Sequence, residues 1–378
     1  MSLQVVNMTQ AAKFIKAVLQ VKLVPYIAGS PGMGKSAMIQ AIAEEFNLFL
    51  IDIRLAQEDP TTINGFPDLT NGRSCYAPPK RFPLKGDLLP LKVDNNANRI
   101  AYNDALKSKD VKVIQAFQDK NCYAGFLIFF DELPSAPKSI QAASYKIILD
   151  RMIGDKELHQ NAFMIAAGNL LTDGAIVYEM GSALRSRLVH IHVKSDPEEY
   201  LAIAPKINLD MRMQSYLGYQ KSKVNTFDEY NKGSADETFC CERTWHMASK
   251  IIQGVCPDQN APVGDEWSTL LQGTLGSNAL EFVQYTHAFK HLPTFAEVLA
   301  NPTSTLVPSK PAVRWLLVGM LVGNADMNNI DTVMDYVARL PQEFQFAMVK
   351  MLWTKGDSFL DNDKVMKTFD NIGDALLV

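Results

Sequence analysis

The stretch "LVPYIAGSPGMGKSAMIQ", from Leu23 to Gln40, constrains this chain more than any other. An apolar run leads into a glycine-rich turn, and an apolar-periodic run leaves it. The turn "GSPGMGKS" fits the pattern G-x-x-x-x-G-K-[ST]. Glycines at those places let backbone N–H groups close around phosphate oxygens at the positive end of the following helix. The cradle so defined consists of Gly29, Ser30, Pro31, Gly32, Met33, Gly34, Lys35 and Ser36. A lysine in this position reaches the β- and γ-phosphates, and Ser36 has the hydroxyl to ligate Mg²⁺.

The surrounding pattern predicts alternating strands and helices. Thr9 to Gln20 reads as an amphipathic helix, Lys35 to Glu45 as a second helix, and "LFLIDIRL" as a strand. Residues 56–98 form a loop-rich insert with many Pro and Gly, and a helix is expected from Asn98 to Asp119. "GFLIFFDEL" is apolar until its carboxylates, as a central parallel strand should be. A helix over Ser139–Asp150 follows, then "DRMIGDKELHQ", which reads as a hairpin turning at Gly154-Asp155. "AFMIAAGN" and "LVHIHV" supply two more strands. Alternation of this kind implies a parallel sheet with helices on both faces.

Near "KSDPEEYL" the character changes. Helical periodicity dominates at Glu198–Ala204, Thr244–Gly254, Ala279–Lys290, Pro311–Gly323, Ile330–Ala338 and Glu343–Trp353. Residues 219–239 and 257–277 are polar and Gly-rich and are expected to be surface loops. The chain therefore divides into an α/β part, 1–195, holding the insert at 56–98 and the hairpin at 150–160, and a helical part, 196–378.

Composition narrows the chemistry. A formal net charge of −4 over 378 residues gives no global basic footprint for duplex binding. Cys75, Cys122, Cys240, Cys241 and Cys256 include no C-x-x-C pair, which argues against zinc and for reduced thiols. The N-terminus lacks the form of a signal peptide, and runs such as "AVRWLLVGMLVG" are too short to span a membrane. The expectation is a soluble cytoplasmic protein.

Further residues fit a hydrolytic site around the phosphate cradle. Asp131 and Glu132 close a hydrophobic strand, and ligands bind at the carboxyl ends of strands in open α/β sheets. Asp131 would hold Mg²⁺ through water, and Glu132 would polarise an attacking water as general base. Asn169 ends the next strand, where an amide can position that water between Glu132 and the γ-phosphate. Arg185 and Arg187 precede the last core strand, and Arg243 opens a helix in the second part, from which it could reach back to the γ-phosphate.

Taken in order, the cradle, "FFDE", "AAGN", "ALRSRL" and "RTW" resemble AAA+ ATPases, and within them the MoxR-like branch. "RLAQEDPTTINGFPD", "YAPPKRFPL", "DELPSAPKSIQAASYKIILDR" and "YVARLPQEFQ" look like MoxR-like ATPases of bacteria and their viruses, often encoded near a von Willebrand factor A protein. The resemblance implies a three-layer P-loop NTPase core, an all-helical lid with a C-terminal helical extension, ATP and Mg²⁺ as ligands, and a homo-oligomeric ring, commonly a hexamer. It also implies an arginine finger supplied to the neighbouring subunit; Arg187 is preferred because an apolar residue follows it into the strand, with Arg185 in reserve. Where the family usually has Pro before its sensor Arg, this chain has Glu242 before Arg243. The insert "NGFPDLTNGRSCYAPPKRFPL", with Tyr76, Pro78 and Pro79, and the hairpin look like the two devices that face the pore or the client.

Three functions are compatible with these residues. The leading expectation is an ATP-driven ring motor that remodels or activates a protein client, with a von Willebrand A protein as adaptor. A nucleic-acid-associated motor is the alternative; it needs a basic groove, and Lys80, Arg81, Lys85, Arg151 and Lys156 are the residues available. A nucleotide-gated assembly protein with little turnover is the third, and the intact Glu132 speaks against it.

Overall fold

A computed structural model of the protein describes residues 4–69, 75–170, 173 and 178–376, the side chains of the last few excepted. The chain divides into two compact units, Met1–Lys194 and Ser195–Val378.

The first unit runs β1 (Val5–Val6), α1 (Met8–Gln20), β2 (Val24–Ala28), α2 (Lys35–Glu45), β3 (Leu48–Arg54), α3 (Pro60–Asn64), β4 (Phe66–Asp68), β5 (Cys75–Ala77), α4 (Asn96–Lys107), α5 (Val111–Asn121), β6 (Gly125–Asp131), α6 (Lys138–Asp150), β7 (Met152–Ile153), β8 (Lys156–Glu157), β9 (Ala162–Gly168), α7 (Ser182–Arg185) and β10 (Leu188–Val193). Six strands form one sheet in the order β1-β10-β2-β9-β6-β3, and every neighbouring pair is parallel. The apolar runs are continuous because both faces are covered. On one face Ile27, Leu127, Phe129, Ile165 and Ala167 meet Ile15 of α1 and Ile39 and Ile42 of α2. On the other, Tyr26, Ile128, Phe130 and Ala166 meet Ile140 and Ile147 of α6 and Phe82 of the insert. Three layers result, and each such buried Ile or Phe contributes on the order of 1.5–3 kcal/mol. This is the P-loop NTPase fold.

Several boundaries differ from expectation. The helix expected over 98–119 is two helices, α4 and α5, because Lys109 takes a left-handed φ of 56° and Asp110 caps a new start by accepting from Lys112 N–H at 2.8 Å. β1 carries too short an apolar signal to be read alone; it forms because Val5 and Val6 find His192 and Val193 alongside. The insert is not all loop: it contains α3 and the β4–β5 hairpin, although residues 70–74 lie outside the described residues. The β7–β8 hairpin turns at Gly154-Asp155, with Gly154 at φ 59° as a tight hairpin turn needs.

The second unit is helical among the described residues: α8 (Pro197–Ile203), α9 (Met211–Tyr219), α10 (Phe227–Asn231), α11 (Glu242–Val255), α12 (Ser268–Leu275), α13 (Asn278–Thr286), α14 (Phe295–Ala300), α15 (Pro311–Asn324), α16 (Ile330–Val337), α17 (Gln342–Lys355) and α18 (Asp363–Leu376). The stretches 219–239 and 257–277 are not simply surface loops. α10 and α12 fall within them, and α12 buries Leu271 and Leu275 against Trp245, Phe282 and Tyr216. Polar neighbours masked those few buried positions in the sequence. Among the described residues no helix is long and apolar enough to cross a membrane.

Candidate functional site

β2 is buried along its whole length and delivers the glycine turn to the carboxyl end of the sheet. A Cβ on Gly29 would lie 2.5 Å from Val193 Cγ2 and 2.9 Å from its carbonyl, so only glycine lets the loop leave β2 beside β10. Gly32 and Gly34 have φ of 81° and 89°, which L side chains rarely adopt. Met33 is buried in the α1–α2 face and anchors the loop. Lys35 and Ser36 then open α2, with Lys35 half-buried and Ser36 exposed. These features fit a phosphate group: a glycine-shaped concavity at a helix N-terminus, with an ammonium behind it.

The Lys35 ammonium donates to Ser30 O at 2.9 Å, to Asn169 Oδ1 at 3.2 Å and to the Gly29 carbonyl. Cradle and Asn169 therefore meet through one side chain. Register explains it: Gly168 of β9 pairs with Ala28 of β2, so both strands end together. Gly168 is itself required, since a Cβ there would sit 2.3 Å from Pro134.

β6 lies next to β9 and ends in Asp131. Asp131 accepts the Glu132 backbone N–H at 2.9 Å, and Glu132 is held at φ 57°, ψ 31°. A left-handed non-glycine residue costs on the order of 1 kcal/mol, and such strain gathers at functional sites. Both carboxylates are half-buried. Sequence reading passed over their neighbours on β3. Arg54 stands in register with Asp131, and Asp52 lies two residues earlier on the same face. The Asp52 carboxyl is pushed up by partial burial, and further by the charge of Asp131. The signal was available: "IDIR", like "FFDE", places charges at the carboxyl end of an apolar strand.

Arg185 and Arg187 are both exposed, at opposite ends of a tight turn. Arg185 pairs with Glu179 at 3.5 Å. Arg187 donates to Ala183 O at 3.0 Å and Ser186 Oγ at 3.1 Å, and its guanidinium lies 5.4 Å from the centre of the Tyr145 ring on α6. Among the described residues no carboxylate pairs with Arg187. Behind Asn169 a cavity of about 270 Å³ is lined by Tyr26, Tyr178, Arg185, His190 and His192 among others. Burial holds the Tyr26 phenol protonated and keeps His192 neutral more readily than a free histidine. Arg243 belongs to the second unit, exposed in the first turn of α11.

The basic residues considered for a nucleic-acid groove are mostly engaged. Arg81 grips Glu58 in a two-pronged ion pair, both contacts 2.6 Å, and donates to Thr62 O at 2.7 Å. Lys85 pairs with Glu157 at 2.6 Å and Lys156 with Asp155 at 3.4 Å. Arg151 donates to the Ala162 carbonyl. The insert and the hairpin are also joined. Leu84 bridges Leu158, His159 N–H donates to Pro83 O at 3.0 Å, and Gly154 comes so close to Tyr76 that an added Cβ would lie 2.9 Å from the tyrosine Cβ.

Residues 25–194 match the family model described as the ATPase family associated with various cellular activities, AAA. The match spans most of the α/β unit and stops where that unit ends. No protein among the curated ones matches the chain. Among solved structures the chain is similar to a candidate ATPase of Cytophaga hutchinsonii, 11% identical over 97% of this chain and 89% of that one, with a TM-score of 0.34. It is also similar to the Thermotoga maritima RuvB Holliday junction branch migration motor, 12% identical over 79% of this chain and 75% of that one, with a TM-score of 0.30. A lysine-to-arginine variant of that motor gives 14% identity and a TM-score of 0.32, over 78% and 74% of the two chains.

Proposed function

We propose that this chain is an ATP-hydrolysing motor of the MoxR-like AAA+ type, working as a homo-oligomeric ring, commonly a hexamer, on a protein client. The observation that carries the reading is the convergence of three groups at the carboxyl ends of three neighbouring strands. Lys35 follows β2, Asn169 follows β9 and Asp131-Glu132 close β6, with Lys35 and Asn169 in direct contact.

The division of labour follows from the chemistry of each group. Backbone N–H groups of Gly32 to Lys35 and the Lys35 ammonium take the phosphate oxygens. Ser36 and Asp131 would hold Mg²⁺, which when bound neutralises charge on the β- and γ-oxygens. Glu132 takes the proton of the attacking water, and the amide of Asn169 orients that water. Arg187 is the better finger toward a neighbouring subunit, because its guanidinium rests on an aromatic ring and neutral oxygens while Arg185 is spent on Glu179. Arg243 reads the γ-phosphate from the helical unit.

Steady-state phosphate release from the native protein and from Glu132→Gln tests the reading. We expect a fall of about 10²–10⁴-fold with nucleotide binding retained; equal rates would remove Glu132 from the mechanism. A protein client is favoured over nucleic acid because Arg81, Lys85 and Lys156 already have carboxylate partners, leaving little charge for counterion release. Glu132→Gln with ATP should retain the client in a pull-down, a von Willebrand A protein being the adaptor to look for. DNA-stimulated turnover that collapses with salt would reverse that choice.

A further inference from the structure

Glu242 stands where the family usually has proline, and its surroundings are unusual for a carboxylate. It is the first residue of α11, directly before Arg243, yet among the described residues it pairs with no cation. Its Oε1 accepts from the hydroxyl of Ser195, and its Oε2 accepts from Asn225 Nδ2 at 3.3 Å. Its backbone carbonyl accepts from the buried Tyr200 hydroxyl at 3.2 Å. Three separate segments of the second unit therefore grip one residue. Ser195 is the first residue of that unit, two positions beyond the end of β10.

The grip is stiff on every side. Asn225 is fixed by accepting Phe227 N–H at 3.0 Å at the start of α10. Cys241 N–H donates to Thr244 Oγ1 at 2.8 Å, and Trp245 Nε1 donates to Lys223 O at 2.9 Å, which locks the first turn of α11. Neutral donors and the helix N-terminus support the charge, while burial pushes the carboxyl up. Among the described residues Arg243 makes no hydrogen bond or ion pair, so its guanidinium is left for an anion from elsewhere. A proline could start the helix equally well, but it could not reach Ser195.

We infer that Glu242 is a positioning residue, a carboxylate latch that ties Ser195 at the joint between the units to the start of the helix bearing Arg243, so that the joint and the arginine move as one. The inference rests on the reading of Arg243 as the group that senses the γ-phosphate. Through this latch, loss of Ser195 or Glu242 should act on nucleotide discrimination rather than on folding alone.

The test measures binding of fluorescent ATP and ADP analogues in a Glu132→Gln background, with thermal unfolding alongside. Arg243→Ala should weaken ATP relative to ADP by about tenfold, the worth of one charge-assisted contact. Glu242→Ala and Ser195→Ala should shift the same ratio in the same direction. Glu242→Gln, which keeps an acceptor for Ser195, should restore most of it. Glu242→Ala combined with Arg243→Ala should be no worse than Arg243→Ala alone. Additive losses, or a Glu242→Ala protein with a lowered Tm and a native ATP-to-ADP ratio, would overturn the latch while leaving the sensing role intact. An unchanged ratio in Arg243→Ala would overturn that role, and the latch with it.

Discussion

The two units use buried charge in opposite ways. In the helical unit Asp210 and Arg212 are both fully buried and satisfy each other at 2.8 Å, and Arg212 also takes the carbonyls of Cys256, Asp258 and Ala261. Nothing on that guanidinium remains for a ligand. In the α/β unit Lys35, Asp131, Glu132 and Asn169 are only half-buried, and Glu132 is held in a strained conformation. A charge that closes its own accounts in the fold stabilises structure; a charge held in place but left partly open is suited to chemistry.

Substitutions can break this contrast. The largest effect is expected at Arg187: its change to alanine should cut steady-state ATP turnover by about 10³-fold, the scale of an arginine finger, with nucleotide binding preserved. Arg185→Ala should cost less than about tenfold by the same measure, being a surface ion-pair partner. The reverse order would exchange their roles.

Arg212→Ala strands a buried Asp210 and should cost about 3–5 kcal/mol in urea unfolding, whereas an apolar replacement of both partners should be far milder. A small loss for the single change would mean that water reaches the site.

A smaller effect is expected for Arg81→Ala. It removes the clamp on Glu58 and should weaken the insert by about 1–3 kcal/mol, read as faster hydrogen exchange over residues 58–69. The hydrogen bond from Arg81 holds the Glu58 carboxyl below its usual range, and Thr62 adds to this against partial burial. A depressed carboxyl stabilises the fold above its unfolded value, about 4.3, and the benefit disappears as pH falls through the lower folded value. Protection against exchange in the insert, corrected for the intrinsic pH dependence of amide exchange, should therefore fall in acid earlier than in the central sheet. Arg81→Ala should erase that difference.

Much of the fold was legible because local pattern and tertiary environment agreed. "LVPYIAG", "GFLIFF" and "AFMIAAG" are apolar throughout, and strands covered on both faces need that. The places that misled are those where a long-range partner or a capping residue decides. β1 needs β10, α12 needs the core around Trp245, and the α4–α5 break needs Asp110 to cap. Likewise Lys80, Arg81 and Lys85 read as a basic cluster in one dimension. In three dimensions Glu58 and Glu157 come back to Arg81 and Lys85.

By itself the sequence determined the glycine-rich turn between β2 and α2, the strand ending in Asp131-Glu132 and the change to helices after the last strand. Each is written in contiguous residues whose backbone needs are local: glycine for positive φ, apolar runs for buried strands, 3.6-residue periodicity for helices. Only the tertiary structure decided that Lys35 meets Asn169, that Tyr145 lies beneath Arg187 and that Glu242 turns to Ser195 rather than to its neighbour Arg243. Those contacts join residues far apart in the chain, and parallel register and helix packing fix them where no local pattern can.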